Sequence, residues 1–94
     1  MGVNYRVSYH ELVVKEDLPK LGADIRRHLR SAIETRLMTY PDMYGKPLRR
    51  SLHGYRKLRV GDYRIIFKMK HTLVKVLIIE HRSTVYEKLL SRLP

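Results

Sequence analysis

Two runs of strand-forming residues, Tyr55 to Val60 and Tyr63 to Lys70, stand on either side of Gly61-Asp62. Glycine supplies the positive φ that a two-residue turn demands, so this spacing predicts a β-hairpin. Leu73 to Glu80 is β-branched and aliphatic, and it follows after only Lys70-His71-Thr72, which adds a third consecutive antiparallel strand. Such a sheet must bury at least one face against other elements.

The segment ahead of the hairpin supplies the cover. Ile25, Leu29, Ile33 and Leu37 recur every four residues, Ala32 fills the same face, and Arg26, Arg27, Arg30 and Arg36 fall largely outside it. That pattern predicts an amphipathic helix from about Asp24 to Met38, ending before Pro41 because a residue preceding proline is biased away from helical angles. Glu11 to Leu21 carries Leu12, Val13, Val14, Leu18 and Leu21 at helical spacing, with a break expected near Pro19. Asn4 to His10 alternates, placing Tyr5, Val7 and Tyr9 on one side of a first strand. Tyr40 to Gly54 holds Pro41, Gly45, Pro47 and Gly54, and reads as an irregular connection. Thr84 with Glu87 fits a capping box opening a short C-terminal helix through Val85, Leu89, Leu90 and Leu93. The order β-α-α-β-β-β-α predicts an α+β fold: a small antiparallel sheet with two N-terminal helices on one face and a short C-terminal helix. At 94 residues, 1–94 is one domain.

Charge then narrows the function. Twenty Lys and Arg against nine Asp and Glu give a net charge of +11, and thirteen of the cations but only three acids lie after residue 43. Between Lys46 and Arg64 stand Lys46, Arg49, Arg50, Arg56, Lys57, Arg59 and Arg64, opposed only by Asp62. Clustered cations of this kind gain affinity for nucleic acid by releasing condensed counterions. The absence of cysteine excludes disulfide scaffolds, thiolate metal sites and cysteine nucleophiles. The longest apolar run, Val76 to Ile79, is far too short to span a membrane, and no secretory pattern is seen at the N-terminus, so no membrane association and a cytoplasmic location are expected.

Two constellations carry candidate chemistry. By strand alternation Tyr55, Lys57 and Arg59 project together, and Arg64, Ile66 and Lys68 share parity on the next strand. Arg64 sits between Tyr63 and the apolar Ile65-Ile66-Phe67 run, where a charge is costly unless paired or used. The second is Glu80-His81-Arg82-Ser83-Thr84-Val85-Tyr86, where the last strand meets the last helix. His81 is the side chain whose ordinary titration range lies closest to neutrality, and Tyr86 is suited to stack on a base or to rim the core. The five histidines, His10, His28, His53, His71 and His81, lack paired ligand spacing, so no metal and no cofactor are expected. Nucleolytic chemistry would then use the RNA 2′-hydroxyl as nucleophile, with a base, phosphorane-stabilising cations and an acid. DNA, lacking that hydroxyl, could not be cut in this way.

Gly45-Lys46-Pro47-Leu48, then Leu52, Gly54 and Tyr55 to Ile66 with its Leu-Arg-Val-Gly-Asp-Tyr-Arg stretch, then His81-Arg82 and Val85-Tyr86, resemble the RelE/ParE superfamily of toxin–antitoxin toxins, on its RelE-like side. The resemblance covers essentially the whole chain and implies a microbial RNase-like fold. It implies a cytoplasmic toxin that enters the ribosomal A site and cleaves mRNA there, held in check by a cognate antitoxin, as a homodimer or a toxin–antitoxin hetero-oligomer. Carried over by residue, Arg64 would contact the scissile phosphate, Lys57 would act in proton transfer with Arg59 as a neighbouring cation, and Tyr86 would orient the substrate base. Lys57 or His81 would take the 2′-hydroxyl proton and either His81 or Arg82 would supply the acid, while the charge pattern itself assigns Lys46, Arg49, Arg50, Arg56 and Lys68 to RNA binding. The sequence departs from the best-known RelE-type pattern at Tyr55, where a second strand lysine is usual. ParE-like poisoning of DNA gyrase without nuclease activity, or RNA binding without catalysis, are the alternatives.

Overall fold

The computed structural model describes residues 4–48 and 54–92. Five strands, β1 (Arg6–Tyr9), β2 (Lys46–Pro47), β3 (Tyr55–Val60), β4 (Tyr63–Lys70) and β5 (Leu73–His81), form one sheet in the order β1-β5-β4-β3-β2. The hairpin turns at Gly61-Asp62 with φ +58 at Gly61, the positive value that the glycine was expected to supply. The α+β class and the order of the main elements are as expected, with two departures. The sheet is mixed, because β1 runs parallel to β5 with Arg6 opposite Leu73 and Tyr9 opposite Val76. The connection after Tyr40 is also more ordered than expected, since it contains the one-turn helix α2 (Pro41–Tyr44), with Pro41 at its first position, and the edge strand β2.

The main helix α1 (Ala23–Ala32) continues into a wide helical turn over Ile33–Leu37. A strict four-residue spacing drifts around a helix of 3.6 residues per turn, and widening the last turn counters that drift. Leu29, Ile33 and Leu37 consequently all reach the core, each with 2% exposure or less. The preceding helical segment, Val13–Asp17 running into a tight turn at Leu18–Lys20, accommodates Pro19 by tightening and ends at Leu21. Val13 joins the α1 residues on one face of the sheet, against Leu58, Val60, Ile65, Phe67, Val74, Val76 and Ile79.

The other face carries α3 (Val85–Arg92), whose Val85 and Leu89 cover Ile66, Leu77 and Ile78. A β-bulge makes this second cluster possible. Ile66 faces Ile78 while Phe67 faces Val76, which leaves Leu77 as an extra residue in β5. Val76 and Ile79 therefore both point towards α1, and Leu77 and Ile78 are released to α3. The expected capping box at the start of α3 is replaced by a turn in which the Thr84 amide donates to the His81 carbonyl at 3.1 Å.

A buried ion pair locks α3 in place. Asp17 accepts two hydrogen bonds from Arg92, at 2.8 and 3.0 Å, with side-chain exposures of 0% and 3%. β1 ends before it can pair with the far half of β5, and the same two residues satisfy that uncovered edge. The Ile79 amide donates to Asp17 Oδ2 at 2.9 Å, and Arg92 donates to the Leu77 carbonyl at 3.1 Å.

Gly45 shows how tightly the α2–β2 connection is packed. A β-carbon there would strike the Phe67 ring, 2.7 Å from Cε1, and would lie 2.9 Å from the Pro41 carbonyl oxygen. Gly45→Ala is expected to destabilise the fold by about 1–3 kcal/mol, the usual cost of forcing extra volume into a packed core, measurable by urea unfolding. At the β1 edge, burial first and the Glu34 carboxylate second push the Tyr9 phenol above its ordinary 10.0, against an opposing contribution from Arg30.

Candidate nucleic-acid interface

Cross-strand register sorts the cations onto faces. Lys46 stands directly opposite Lys57, Arg59 opposite Arg64, and Lys68 opposite Lys75. All six belong to the face that carries α3, together with Tyr55, which stands opposite Lys68. Like charges placed directly opposite one another destabilise a sheet. Three such pairs on one face mean that local stability has been given up for a strongly positive surface. Arg64 also stands opposite Glu80, which is drawn to the Lys88 ammonium at 3.4 Å.

Lys57 and Tyr86 meet above this surface. The Lys57 ammonium donates to the Tyr86 hydroxyl at 2.8 Å and lies 5.5 Å from the ring centre. Those two distances place the nitrogen end-on beyond the hydroxyl, so the contact is a hydrogen bond and the ring faces are not occupied by the ammonium. Tyr86 is 48% exposed, which leaves the ring accessible to a planar ligand. Its position follows from α3: Val85 and Leu89 are buried, and Tyr86, next to Val85, is carried over β3.

Arg64 is half-buried, and its guanidinium donates to the carbonyls of Gly61 and Tyr63, both at 2.9 Å. The charge expected to need a partner thus finds one in the backbone of the hairpin turn. Arg82 lies at the same end, its amide bonded to the Asp62 carbonyl and its side chain 3.6 Å from the Asp62 carboxylate, in an exposed pair.

Two predicted site residues are not brought to this cluster. His81 stands opposite Tyr63, and their rings meet edge to face at a centroid distance of 5.6 Å. Tyr63 packs against the α1 side of the sheet, so the imidazole lies away from Lys57 and Tyr86. Its Nδ1 accepts from the Ser83 amide at 3.1 Å and contacts the Ser83 hydroxyl at 2.8 Å, closing the turn before α3. Arg56 also points to the α1 side, opposite Phe67 and Pro47, and donates to the Gly45 carbonyl at 3.0 Å. Arg49 and Arg50 lie outside the described residues. Sequence reasoning missed Lys75 and Asp17; the first is recognisable only once β5 is registered on β4, and the second stands out only as an acid within the apolar run Val13, Val14 and Leu18.

The fold and this face define a small basic α+β protein that presents paired cations and an accessible tyrosine on one side of its sheet. A family model described as the ParE toxin of the type II toxin–antitoxin system parDE matches residues 4–86. The chain is similar to the toxin–antitoxin complex RelBE2 from Mycobacterium tuberculosis, with 34% identity and a TM-score of 0.79 over 86% of this chain and 94% of that one. Toxin RelG of the same organism is 40% identical over 50 residues, 51% of this chain and 58% of RelG; the match thus spans little more than half the length of that curated relative. A mutant of Escherichia coli toxin RelE in complex with an antitoxin RelBc peptide shares the fold, with a TM-score of 0.63 at 24% identity over 97% of this chain and 99% of that one. The chain belongs to the ParE toxin family of type II toxin–antitoxin systems, within the RelE/ParE superfamily.

Proposed function

We propose that this toxin is a ribosome-dependent mRNA endoribonuclease that inhibits translation. The observation that carries the reading is the convergence of three like-charged cross-strand pairs with the Lys57–Tyr86 contact on one sheet face. In this reading Lys57, acting as the neutral amine, takes the 2′-hydroxyl proton and becomes the ammonium, Arg59 and Arg64 stabilise the crowded phosphorane, and the Tyr86 ring holds the base in line for attack. Arg82 supports the leaving 5′-oxygen by charge, since a guanidinium does not release its proton under these conditions, and that oxygen takes the proton that makes it a hydroxyl from solvent. Lys46 and Lys68 extend the surface along the RNA backbone. His81 has a structural part as the acceptor that closes the turn before α3, and takes no part in the chemistry.

Adding the toxin to an in vitro translation reaction and mapping message ends by primer extension tests this directly. New 5′ ends on translating ribosomes are expected. Intact message, with gyrase-linked DNA breaks in growth-arrested cells, would establish the ParE-like alternative instead.

A cognate antitoxin follows from the same reading, supported by the similarity to the RelBE2 complex. With a net charge of +11 on the toxin, association with an acidic antitoxin segment is expected to be electrostatically steered. Stopped-flow association rates should fall as salt rises; rates indifferent to salt would remove the steering.

A further inference from the structure

We propose that Tyr55, Lys68 and Lys75 form a second nucleotide subsite, which takes the base and phosphate adjacent to the nucleotide held by Tyr86 and Lys57 in a single-stranded RNA. The proposal rests on the RNA-directed reading above and extends it along the sheet. The three residues occupy one row across β3, β4 and β5: Tyr55 opposite Lys68, and Lys68 opposite Lys75. On the same face the next row holds Lys57, two residues along β3, which is roughly 7 Å away at the rise of an extended strand. Successive unstacked bases can each take one aromatic platform, and Lys57 carries Tyr86 as the platform of its row.

The row repeats the composition of the first site. The Lys68 ammonium lies 5.1 Å from the Tyr55 ring centre, whereas Lys57 meets Tyr86 through its hydroxyl. Tyr55 is half-buried and packs against the cluster of Ile66, Leu77 and Ile78, which fixes its orientation at little entropic cost to a ligand. Lys68 and Lys75 are exposed and directly opposed, and among the described residues neither has a carboxylate partner. A cation pair that repels itself across two strands gains most from an anion shared between them. On binding, the base takes the ring face, and the Lys68 ammonium passes from the ring to the phosphate beside Lys75.

The test uses fluorescence anisotropy with a 5′-fluorescein, 2′-O-methylated RNA pentanucleotide, which has no attacking hydroxyl, and a set of the same oligonucleotides each with one abasic position. Tyr55→Leu, which keeps the apolar packing, is expected to raise Kd about tenfold or more. That loss should vanish on the one abasic RNA that lacks the base at this subsite, and Tyr86→Leu should show the same dependence at a neighbouring position. Tyr55→Phe should bind like wild type, and circular dichroism confirms that each variant is folded. Lys75→Ala should lower the salt slope by about 0.7. The subsite is overturned if Tyr55→Leu binds as wild type does, or loses equally on every abasic RNA. If that happens while Tyr86→Leu keeps its position-specific loss, only the subsite falls. If the wild type shows no position dependence and leaves message intact on ribosomes, the reading beneath it falls as well.

Discussion

Lys57→Met should lower message cleavage by about 10²- to 10⁴-fold, the range expected when a positioned proton-transfer group is removed. The initial rate of primer-extension product on translating ribosomes would measure it. Lys57 is half-buried in a β-strand whose neighbours Leu58 and Val60 carry the packing, so the fold should tolerate the change. Lys57→Arg separates the two roles that the ammonium could play. Arginine keeps the charge but does not exchange its proton at neutral pH, so a proton-transfer role leaves this variant nearly as inactive as Lys57→Met. Substantial recovery of activity in Lys57→Arg would instead make Lys57 an electrostatic residue. Tyr86→Phe removes the hydroxyl that accepts from Lys57 while retaining the ring, and a smaller loss is expected from it.

The largest expected effect on stability comes from Arg92→Ala. It leaves the Asp17 carboxylate in a site with no solvent exposure and deletes the donor to the Leu77 carbonyl. Removing one partner of a buried ion pair typically costs about 3–5 kcal/mol, a large share of the 5–15 kcal/mol by which domains of this kind are stable. Lys88, whose ammonium lies 3.9 Å from Asp17, should hold the loss near the lower end. Thermal unfolding would show it as a fall of more than about 10 °C in Tm. A shift of only a few degrees would mean that Lys88 alone satisfies the carboxylate. Asp17→Asn should also be destabilising, because the amide still accepts from Ile79 but leaves the buried Arg92 guanidinium with only the half-exposed Glu16 carboxylate, at 3.2 Å, as a charged partner.

What could be read from the sequence was local in origin. Gly61-Asp62 announces its hairpin because turn geometry depends on two residues, and Leu29, Ile33 and Leu37 announce their helix because one stripe must be dry, whereas Ile25, expected on the same stripe, stays 37% exposed. The cation-bearing face of β3 and β4 followed from alternation alone. The parallel pairing of β1 with β5 left no such mark, since it joins segments more than sixty residues apart. Neither did the bulge at Leu77. Unbroken alternation from Lys75 would carry residues 77, 79 and 81 to the cation-bearing face; the extra residue sends Glu80 there instead and turns His81 to the α1 side. The ion pair of Asp17 with Arg92 is equally silent in the sequence, because a charge that will be buried looks like any other until its partner is known.

The Asp17–Arg92 link spans 75 residues and ties the first helical segment to the last helix. Closing so long a loop is entropically unfavourable until the intervening sheet has formed. During synthesis the chain appears from its N-terminus, and Lys57 with its neighbouring strands precedes α3. A nascent chain therefore displays the cations before it has either the tyrosine that Lys57 binds or the arginine that anchors the helix bearing it. Assembly of this face is ordered in time, and the face is complete only once α3 has been made.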